Sequence, residues 1–561
     1  MKRMRNMLLA LTLILSLVAT ACTSKTAETS QPTTDKPAEN TTAEKPAEKP
    51  ENTVIEASTV RAKDPYLKFD AGETYDKNAV YDAYEKDVGV KITNKWIVDG
   101  VVSGPQFQEK LKMAIATDDL PDFFPATPAQ LQQLIEADMI QDLTEIYDKY
   151  ATDETKEFLM RDGGLQMKSG TFDGKLMGIP ESGTAFTPQF VWVRTDWLKQ
   201  LNLPEPKTLQ DLIKIMETFA AKDPGGTGKS YGLALNKEFY EPTGALGLTG
   251  FMNGYHAYLN QWIDDGKGGL MFSDIQPEMK EALRSLQDMF KKGLIDPEFA
   301  VKDMMKESEM IFNNQIGVLY GPEWTPAHLA QGAVKDGKVV QEWKPFRLLS
   351  IDGTEASTQI ELGTEKYNVV SKKAKNPEAM VKLLNQWIAI DNHPTEEQKV
   401  YEYGKSMKES GNNYWQLSPV MAFNQASDNG SVLPKAIETK DESLLKTKDQ
   451  KTRYARAMKY ANGEDISMWW EMLISGPNGA VSNVPYMKEH NLFHRNKFYG
   501  APTPTMVEKR ELLKRKRDEL FIKIIMNQVP IDEFDKFVED WKKLGGDDMT
   551  KEVNEWYASN K

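Results

Sequence analysis

A single cysteine, Cys22, stands at the end of a secretion-type leader, and the other residues of this 561-residue chain include no further thiol. The leader has a basic head (MKRMR), an apolar run over residues 7–18 and the small residues Ala19-Thr20-Ala21. This order is typical of a signal peptide, and the apolar run is too short to span a membrane. The folded body therefore has no disulfide, no thiolate metal ligand and no cysteine nucleophile, and packed cores must hold it together.

The position of Cys22, directly after small residues, resembles the processing site of a bacterial lipoprotein. The resemblance implies that residues 1–21 are removed as a lipoprotein signal peptide and that the Cys22 thiol carries a lipid such as palmitate. It also implies a protein anchored by lipid at the extracellular face of the cell membrane, as in Gram-positive bacteria. The alternative is a buried core cysteine, the usual fate of a free thiol. Cys22 lies among signal and linker residues with no core to join.

The segment after the leader predicts a flexible tether. Residues 23–53 contain no aromatic residue and no Val, Ile, Leu or Met, and they include the repeat AEKPAEKP. Such a composition buries too little apolar surface to offset the entropy lost on ordering. A coil of this length spans roughly 30 Å, and its prolines stiffen it. We therefore expect residues 22–55 to be a lipidated cysteine followed by a disordered tether.

The remaining chain is too long for one core, so two or more lobes are expected. Hydrophobic residues make up 40% and aromatic residues 10% of the sequence, as in globular proteins. The net charge of −13 argues against binding to nucleic acid or direct adsorption to anionic lipid. No later run is long and apolar enough for a membrane span.

The local pattern alternates short apolar strands with helices, which indicates an α/β protein. Thr208 begins the helix predicted over residues 208–222, because its hydroxyl can cap the helix and Asp211 stands three residues later. Strands are predicted at residues 91–98, 120–124, 189–193 and 316–320, and helices at residues 78–87, 129–150, 208–222, 277–292 and 531–544.

Several phrases, taken in order, resemble the family 1 extracellular solute-binding proteins, and most closely the LipO-like branch. The phrases are YEKDVGVKI (residues 84–92), LPDFF (120–124), GKLMGIP (174–180), VRTDWL (193–198), GLIDPEF (293–299), GVLYGPEW (317–324) and the run from YGAPTPTMVEK at Tyr499 to Trp556. No single phrase decides the match. Their order and spacing over about residues 60–560 carry it.

The resemblance implies an α/β fold of the two-lobe, periplasmic-binding-protein-like type II, with a hinge, an interlobe cleft and extra C-terminal helices. Lobe 1 would comprise residues 56–183 and 350–400, and lobe 2 residues 184–349 and 401–561. The chain would cross between the lobes near residues 180–187, 344–351 and 391–405.

The resemblance also implies a monomeric binding protein that is not an enzyme and needs no cofactor. Its ligand would be a carbohydrate that binds in the cleft and closes the lobes. Its partners would be the permease subunits of an ABC transporter. The greater length of the chain favours an oligosaccharide. Two alternatives remain: a surface glycoside hydrolase or lyase, and ligand capture for a membrane sensor.

Sugar binding needs aromatic faces for C–H groups and polar side chains for hydroxyls. Trp324, just after the strand at residues 316–320, is the first candidate for stacking, and Glu323, Glu181 and Asp122 are candidate hydroxyl acceptors. Each competes with a purely structural role, since most aromatic residues in a chain of this size pack in cores. Further stacking candidates are Phe123, Tyr255, Trp262, Tyr367 and Trp469.

The stretch DPGGTGKS at residues 223–230 fits neither a phosphate loop nor a calcium loop well. A phosphate loop needs glycine at the position of Asp223 and a preceding strand. Calcium needs oxygen ligands at alternate positions, and Gly225 and Tyr231 supply none of strength. We expect a tight turn without a metal.

Overall fold

The structure is a computed structural model that describes residues 54–64, 67–102, 104–182, 187–240, 244–362, 364–392, 397–405, 414–422 and 429–560. The predicted signal peptide, the lipidation site Cys22 and the tether up to residue 53 lie outside the described residues.

The first passage of the chain, residues 54–182, builds most of lobe 1. Its elements are β1 (Ile55–Lys63), α1 (Ala79–Val88), β2 (Val90–Asp99), α2 (Pro105–Ala116), β3 (Phe123–Ala126), α3 (Pro128–Glu136), α4 (Thr144–Tyr150), α5 (Asp153–Leu159), α6 (Leu165–Ser169), β4 (Thr171–Phe172), β5 (Lys175–Leu176) and β6 (Ile179–Ser182). β1 and β2 pair in parallel, which a crossover through α1 permits.

The second passage, residues 187–360, builds the sheet of lobe 2. Its elements are β7 (Gln189–Arg194), α7 (Thr195–Gln200), α8 (Leu209–Lys222), β8 (Tyr231–Leu233), α9 (Thr249–Asn253), β9 (Trp262–Asp264), β10 (Leu270–Phe272), α10 (Pro277–Lys291), α11 (Met304–Phe312), β11 (Ile316–Pro322), α12 (Thr325–Ala333), β12 (Val334–Lys335), β13 (Lys338–Val339), β14 (Trp343–Phe346) and β15 (Thr358–Ile360). Four strands form one sheet in the order β14-β7-β11-β8, with β11 and β8 parallel.

The chain then returns to lobe 1. This passage contains β16 (Thr364–Val370), α13 (Glu378–Asn392) and α14 (Val400–Tyr403). β16 is the middle strand of a three-stranded sheet, and it pairs antiparallel with β3 on one side and β6 on the other. A late segment of the chain therefore completes a sheet begun about 240 residues earlier.

The last passage adds helices to lobe 2. Its elements are α15 (Asn429–Thr439), α16 (Lys448–Ala461), α17 (Trp469–Ser475), α18 (Val484–Glu489), β17 (Phe493–Arg495), α19 (Pro504–Ile525), α20 (Glu533–Trp541) and α21 (Asp547–Ser559). β17 pairs in parallel with β15, and α19 packs against α10, α20 and α21.

Two sets of buried side chains show which segments pack together. Tyr401, Tyr414 and Val420 pack in the core that contains the α1 residue Tyr84. Ala356 packs instead with the core of lobe 2, as does Leu348. Packing thus differs from the boundaries predicted at residues 350 and 401. We infer that lobe 1 comprises residues 54–182 and 364–422, and lobe 2 residues 187–360 and 429–560.

The elements with strong local signals begin and end close to where the sequence predicts them. The Thr208 hydroxyl accepts a hydrogen bond from the Asp211 backbone, and the Asp211 side chain accepts from the Thr208 backbone, which forms the predicted capping box of α8. The long helix predicted over residues 129–150 is instead split into α3 and α4. Between them Ile140 forms a β-bridge with Ser371, so tertiary pairing overrides the local helical pattern.

The C-terminal glycines also behave differently from the prediction. Gly545 and Gly546 follow α20, where the sequence predicts a helix end, but the chain turns directly into α21. Gly545 has a φ of 124°, which favours glycine, and this residue makes the kink between the two helices.

Candidate functional site

In each lobe the carboxyl end of one strand lies where the chain passes between the lobes. In lobe 2, the final residue of β11, Pro322, pairs with Gln189, the first residue of β7 after the crossing from lobe 1. In lobe 1, Ser182 at the end of β6 pairs with Thr364 at the start of β16. Ligands of open α/β sheets bind outside the carboxyl ends of the strands. These two edges are therefore the candidate site.

The edge of lobe 1 contains a cavity of about 250 Å³, which we call the first-lobe cavity. The ends of β1 and β2 border it, together with residues next to each of the three crossings. Its lining includes Arg61, Asp64, Val101, Pro125, Glu181, Lys366, Asn368, Gln416, Ser418 and Met421.

Polar side chains of the first-lobe cavity are held in place by short contacts. Lys366 Nζ lies 3.1 Å from Glu181 Oε2, and both side chains are largely buried. The pair places the side chain of the predicted acceptor Glu181 at the cavity wall. Asn368 lies on the same strand as Lys366, two residues further along β16, and it is buried. Its Nδ2 has no hydrogen-bond partner among the described residues. The cavity thus offers one carboxylate and one unused amide donor.

Arg61, at the end of β1, is the most buried cation of this cavity, with 7% of its surface exposed. Its guanidinium donates to the backbone carbonyl of Gln416 at 2.7 Å and to that of Leu417 at 2.5 Å. It also donates to the Tyr81 hydroxyl at 3.2 Å. All three acceptors are neutral, so they fix the position of the charge without neutralising it.

The edge of lobe 2 carries a group of polar residues that we call the second-lobe polar cluster: Glu323, Asn429, Asp449 and Arg453. Asn429 Nδ2 donates to Asp449 Oδ2 at 2.9 Å, and Arg453 Nε donates to Asp449 Oδ1 at 3.3 Å. Three buried atoms of the cluster have no hydrogen-bond partner among the described residues: Glu323 Oε2, Asn429 Oδ1 and Arg453 Nη1. Native proteins leave few such groups, so we expect a bound water or ligand to satisfy these three atoms.

Glu323 differs from an ordinary surface carboxylate in its protonation. Burial raises the pKa of Glu323 to about 7, and the attraction of Arg453 opposes the rise. At neutral pH the group therefore exchanges between a proton donor and an acceptor, a useful property toward hydroxyl groups.

Trp324 follows Glu323 and precedes α12. Its ring is partly buried against the core that contains Trp469, and part of it stays accessible at the lobe edge. The structure thus places Glu323 and Trp324 at the carboxyl edge of lobe 2 and Glu181 at that of lobe 1.

Three other predicted aromatic residues are buried in cores. Phe123 and Trp469 are 2% and 5% exposed. Tyr367 is 3% exposed, and its hydroxyl bonds to Ser169 Oγ at 2.7 Å. We assign these side chains to packing rather than binding, because no face of their rings reaches an open surface.

The remaining predicted residues also have structural partners. Asp122 Oδ2 accepts from the Ser58 backbone at 2.7 Å and from its hydroxyl at 2.6 Å, which ties β1 to β3. Tyr255 packs against the core of lobe 2. Trp262 borders a second cavity, of about 230 Å³, between the second crossing and the C-terminal helices.

Sequence reasoning missed Arg61, Asn368, Arg453 and Arg495. The last of these, on β17, is partly buried. Burial lowers the pKa of Arg495, and the attraction of Asp162 in lobe 1 opposes that change. An arginine at a strand end is a weak local signal, and its significance depends on neighbours hundreds of residues away.

No group of three metal-ligating side chains occurs in the part of the chain that the structure describes. In the predicted turn at Asp223, the carboxylate of this residue accepts hydrogen bonds from other residues of the turn. Ser230 Oγ donates to one oxygen at 2.7 Å, and the Gly228 backbone donates to the other at 2.8 Å.

Among the described helices, none is long and apolar enough to cross a membrane.

Comparisons with known proteins give related results. The family model of the bacterial extracellular solute-binding proteins matches residues 79–345. "Lipoprotein LipO" of Bacillus subtilis (strain 168) is 22% identical over 499 residues, which covers 87% of this chain and 90% of that protein.

Two relatives match over a shorter range. "Polygalacturonan/rhamnogalacturonan-binding protein YtcQ" of Bacillus subtilis (strain 168) is 25% identical over 42% of this chain and 45% of that protein. "Fructooligosaccharide ABC transporter substrate-binding protein FusA" of Streptococcus pneumoniae is 27% identical over 38% of this chain and 40% of that protein.

A solved structure shares the fold across nearly the whole chain. It is a solute-binding protein associated with an HMO-binding ABC transporter of Bifidobacterium longum infantis, with a TM-score of 0.61 at 15% identity. It covers 90% of this chain and 98% of its own. The predicted two-lobe α/β fold is thereby confirmed. The family match over residues 79–345 and the likeness to LipO agree with each other: the chain is similar to the bacterial extracellular solute-binding proteins.

Proposed function

We propose that this protein captures a carbohydrate, most suitably an oligosaccharide, in the cleft between its lobes and delivers it to the permease subunits of an ABC importer. The matched family is one of binding proteins, which supports a binding role rather than an enzymatic one. The names of two relatives refer to polygalacturonan or rhamnogalacturonan binding and to fructooligosaccharide transport, which supports a carbohydrate as the ligand.

One observation carries the proposal: the second-lobe polar cluster holds three buried polar atoms that have no partner among the described residues, next to the carboxyl end of β11. A buried polar group without a hydrogen bond costs about 1–3 kcal/mol. Sugar hydroxyls both donate and accept, so one ligand can satisfy Glu323 Oε2, Asn429 Oδ1 and Arg453 Nη1 together. Trp324 beside them supplies an aromatic face for the C–H groups of a pyranose ring.

The mechanism follows from the division of the site between two lobes. A ligand that contacts both the first-lobe cavity and the second-lobe polar cluster binds the closed arrangement better than the open one. It therefore shifts the population toward closure by its difference in affinity for the two states. The three chain crossings are the segments that absorb such a hinge motion.

The sequence supports the location of this activity. A lipid on Cys22 would hold the protein at the extracellular face of the cell membrane, and the LipO relative bears the name of a lipoprotein. Residues 22–53 would act as the tether between the anchor and the folded body, since residue 55 already begins β1. In this arrangement a monomer meets its ligand outside the cell and stays near the permease.

A thermal-shift screen of the full-length chain against mono- and oligosaccharides tests the proposal. A ligand that binds only the folded state adds about 2.7 kcal/mol of stability at a hundredfold excess over its dissociation constant. We expect a rise in melting temperature with at least one oligosaccharide, and chromatography should recover that sugar unchanged.

Two results would contradict the proposal. Consumption of the sugar would indicate an enzyme. The absence of a shift with every sugar, in a sample that unfolds cooperatively, would remove carbohydrate as the ligand class.

A further inference from the structure

We propose that the second cavity is a further sugar subsite, built by the C-terminal helices, which holds one uncharged ring at the end of an oligosaccharide. This cavity of about 230 Å³ borders Trp262 and the helices α19, α20 and α21. The inference rests on the proposed function. It adds a separate place of contact and, with it, a minimum length of the ligand.

The second cavity lies at the carboxyl ends of two parallel strands. β15 and β17 pair in parallel, and their last residues, Ile360 and Arg495, lie opposite each other. The residues that follow them, Glu361 and Asn496, both line the cavity. Ligands of α/β sheets bind outside such strand ends, so a ligand site is expected at this place in the fold.

Both lobes contribute to the wall of the second cavity. Pro128, at the start of α3, and Thr364, at the start of β16, belong to lobe 1. The C-terminal helices of lobe 2 contribute Leu513, Trp541 and Met549. The first-lobe cavity, by contrast, has lining residues of lobe 1 alone. A ring held in the second cavity therefore contacts both lobes and favours their closed arrangement.

Aromatic side chains form much of this wall. The rings of Trp262 and Phe272 have centroids 5.2 Å apart, and Phe272 stacks on Trp541 at 5.4 Å. Tyr499 is partly buried and meets Trp556 edge to face at 4.7 Å, so part of its ring stays accessible at the cavity. Such apolar surfaces suit the C–H groups of a sugar ring.

Polar groups for sugar hydroxyls stand beside the aromatic wall. Thr364 Oγ1 is buried and has no hydrogen-bond partner among the described residues. Asn496 Oδ1 accepts from the Trp262 backbone at 2.9 Å and from the Phe498 backbone at 3.1 Å. These two bonds hold the amide of Asn496 in place and leave its nitrogen as a donor. A sugar hydroxyl can both donate and accept, so it fits these groups.

The buried charges of the second cavity compensate one another. Arg517 pairs with Asp274, and its Nη2 lies 2.6 Å from Asp518 Oδ1. Lys514 Nζ lies 3.6 Å from the other oxygen of Asp518. An ionic ligand would have to compete with these pairs, which costs free energy in a buried setting.

The remaining charges of the lining balance as well. Glu361 Oε1 accepts from the side-chain amides of Gln359 at 2.8 Å and Gln261 at 3.2 Å, and Arg510 is exposed to solvent. The lining has three cationic and two anionic side chains, and Asp518, paired with two of the cations, makes the charges equal. The cavity therefore suits an uncharged ring.

The second cavity is separate from the edge that carries Trp324. Thr358 Oγ1 accepts from the Gln189 backbone at 2.8 Å, and Gln189 pairs with Pro322, just before Glu323 and Trp324. Glu361 follows Thr358 by three residues, about 10 Å along an extended chain. This is longer than one sugar ring, so only an oligosaccharide contacts Trp324 and the second cavity together.

Calorimetric titration of the full-length chain with sugars of increasing length tests the proposal. The ligands are malto-, xylo-, manno- and galacturono-oligosaccharides of one to six rings. For a series that binds, we expect the affinity to rise at the length that first reaches the second cavity. Tyr499→Ala should weaken binding of that and longer sugars about 2- to 12-fold, the value of one aromatic contact, and leave shorter sugars unchanged.

Thr364→Val keeps the shape of the side chain and removes its hydroxyl. It should weaken the same long sugars about 2- to 12-fold, the value of one hydrogen bond. Tyr557→Ala is the matched control, because Tyr557 packs against the same core without lining the cavity. It should leave every affinity unchanged. If Tyr499→Ala fails to fold, Thr364→Val still decides the question.

The possible results are distinct. Affinities that do not depend on length, or that are unchanged in both variants, would overturn the subsite while leaving carbohydrate capture in place. An equal loss at every length, the single ring included, would also overturn it, because the effect would not belong to the end of a chain. If no sugar binds to the folded protein, both this inference and the proposed function fall.

Discussion

The polar residues at the edges of the two lobes are satisfied to different degrees. At the edge of lobe 1, Glu181 has Lys366, Asp122 has Ser58, and three donors of Arg61 have acceptors, so that Asn368 Nδ2 is the one buried atom of the first-lobe cavity without a partner among the described residues. In lobe 2, Glu323, Asn429 and Arg453 each keep a buried atom without a partner in the part of the chain that the structure describes. Lobe 1 is therefore a surface whose geometry is set before a ligand arrives. Lobe 2 is a surface whose hydrogen bonds are completed by a ligand.

The difference suggests an order of events. A prearranged surface binds with little loss of side-chain entropy, so initial capture is best suited to lobe 1. The groups of lobe 2 gain their partners only when the lobes approach, so they contribute to closure. Substitutions in the two lobes should consequently change different measured quantities.

The largest expected effect is that of Phe123→Ala in the core of lobe 1. Phe123 is 2% exposed, and truncation of a buried phenylalanine costs about 3–5 kcal/mol of unfolding free energy. Urea unfolding measures this loss. Phe123→Leu is the control, since a roughly volume-conserving change costs less than about 1.5 kcal/mol. Unchanged stability with lost sugar binding would instead place Phe123 in the cleft.

A second effect concerns Glu307, a fully buried residue of lobe 2. Burial raises the pKa of Glu307 from 4.5 to about 8. Between these values the folded state holds a proton that the unfolded state has released, so stability falls as the pH rises from 4.5 to 8.

Glu307→Gln removes this dependence. Relative to the wild type, the variant should gain about 2–4 kcal/mol between pH 5 and pH 8. Urea unfolding at the two pH values measures the gain, and the exposed Glu309→Gln on the same helix is the control. Equal pH profiles for wild type and Glu307→Gln would refute an uncharged Glu307.

A third effect concerns the contribution of Trp324, at the edge of lobe 2, to the affinity for the ligand. Trp324→Ala should weaken oligosaccharide binding about 5- to 30-fold, the value of one aromatic contact, with little change in melting temperature. Trp324→Phe keeps an aromatic face and should recover most of the affinity. Calorimetry measures both. A large loss of stability with unchanged affinity would show that Trp324 belongs to the core.

The smallest expected effect is that of calcium. Both Asp223 oxygens accept hydrogen bonds within their own turn, so calcium should leave the melting temperature unchanged. Magnesium is the control for general ionic effects. A rise specific to calcium would show that this turn retains a metal site.

Much of the fold follows from local sequence signals. The apolar run at Gln189 and the capping residues of α8 act within a few residues, so the sequence predicts them. The break between α3 and α4 was not predictable, because Ile140 pairs with Ser371, far away in the chain. The boundary near residue 401 was misplaced for the same reason: Tyr401 packs on Tyr84.

The residues of the candidate site also divide into those that the sequence predicts and those that it does not. Trp324 and Glu323 follow a recognisable strand, so their place at its carboxyl end could be predicted. Phe123 and Tyr367 were candidates only by residue type, and burial is a property of the whole fold. Arg61 was missed because its unusual state depends on carbonyl groups 355 and 356 residues away.

The position of β16 between β3 and β6 has a consequence for the order of folding. A chain emerges N-terminus first during synthesis, so β3 and β6 are outside long before β16 can join them. The sheet of lobe 2 is complete once residue 346 is outside, whereas that of lobe 1 still lacks its middle strand. The sheet of lobe 1 is thus completed after that of lobe 2, although lobe 2 gains its last helices later still, and until β16 arrives the strands β3 and β6 lack the partner between them.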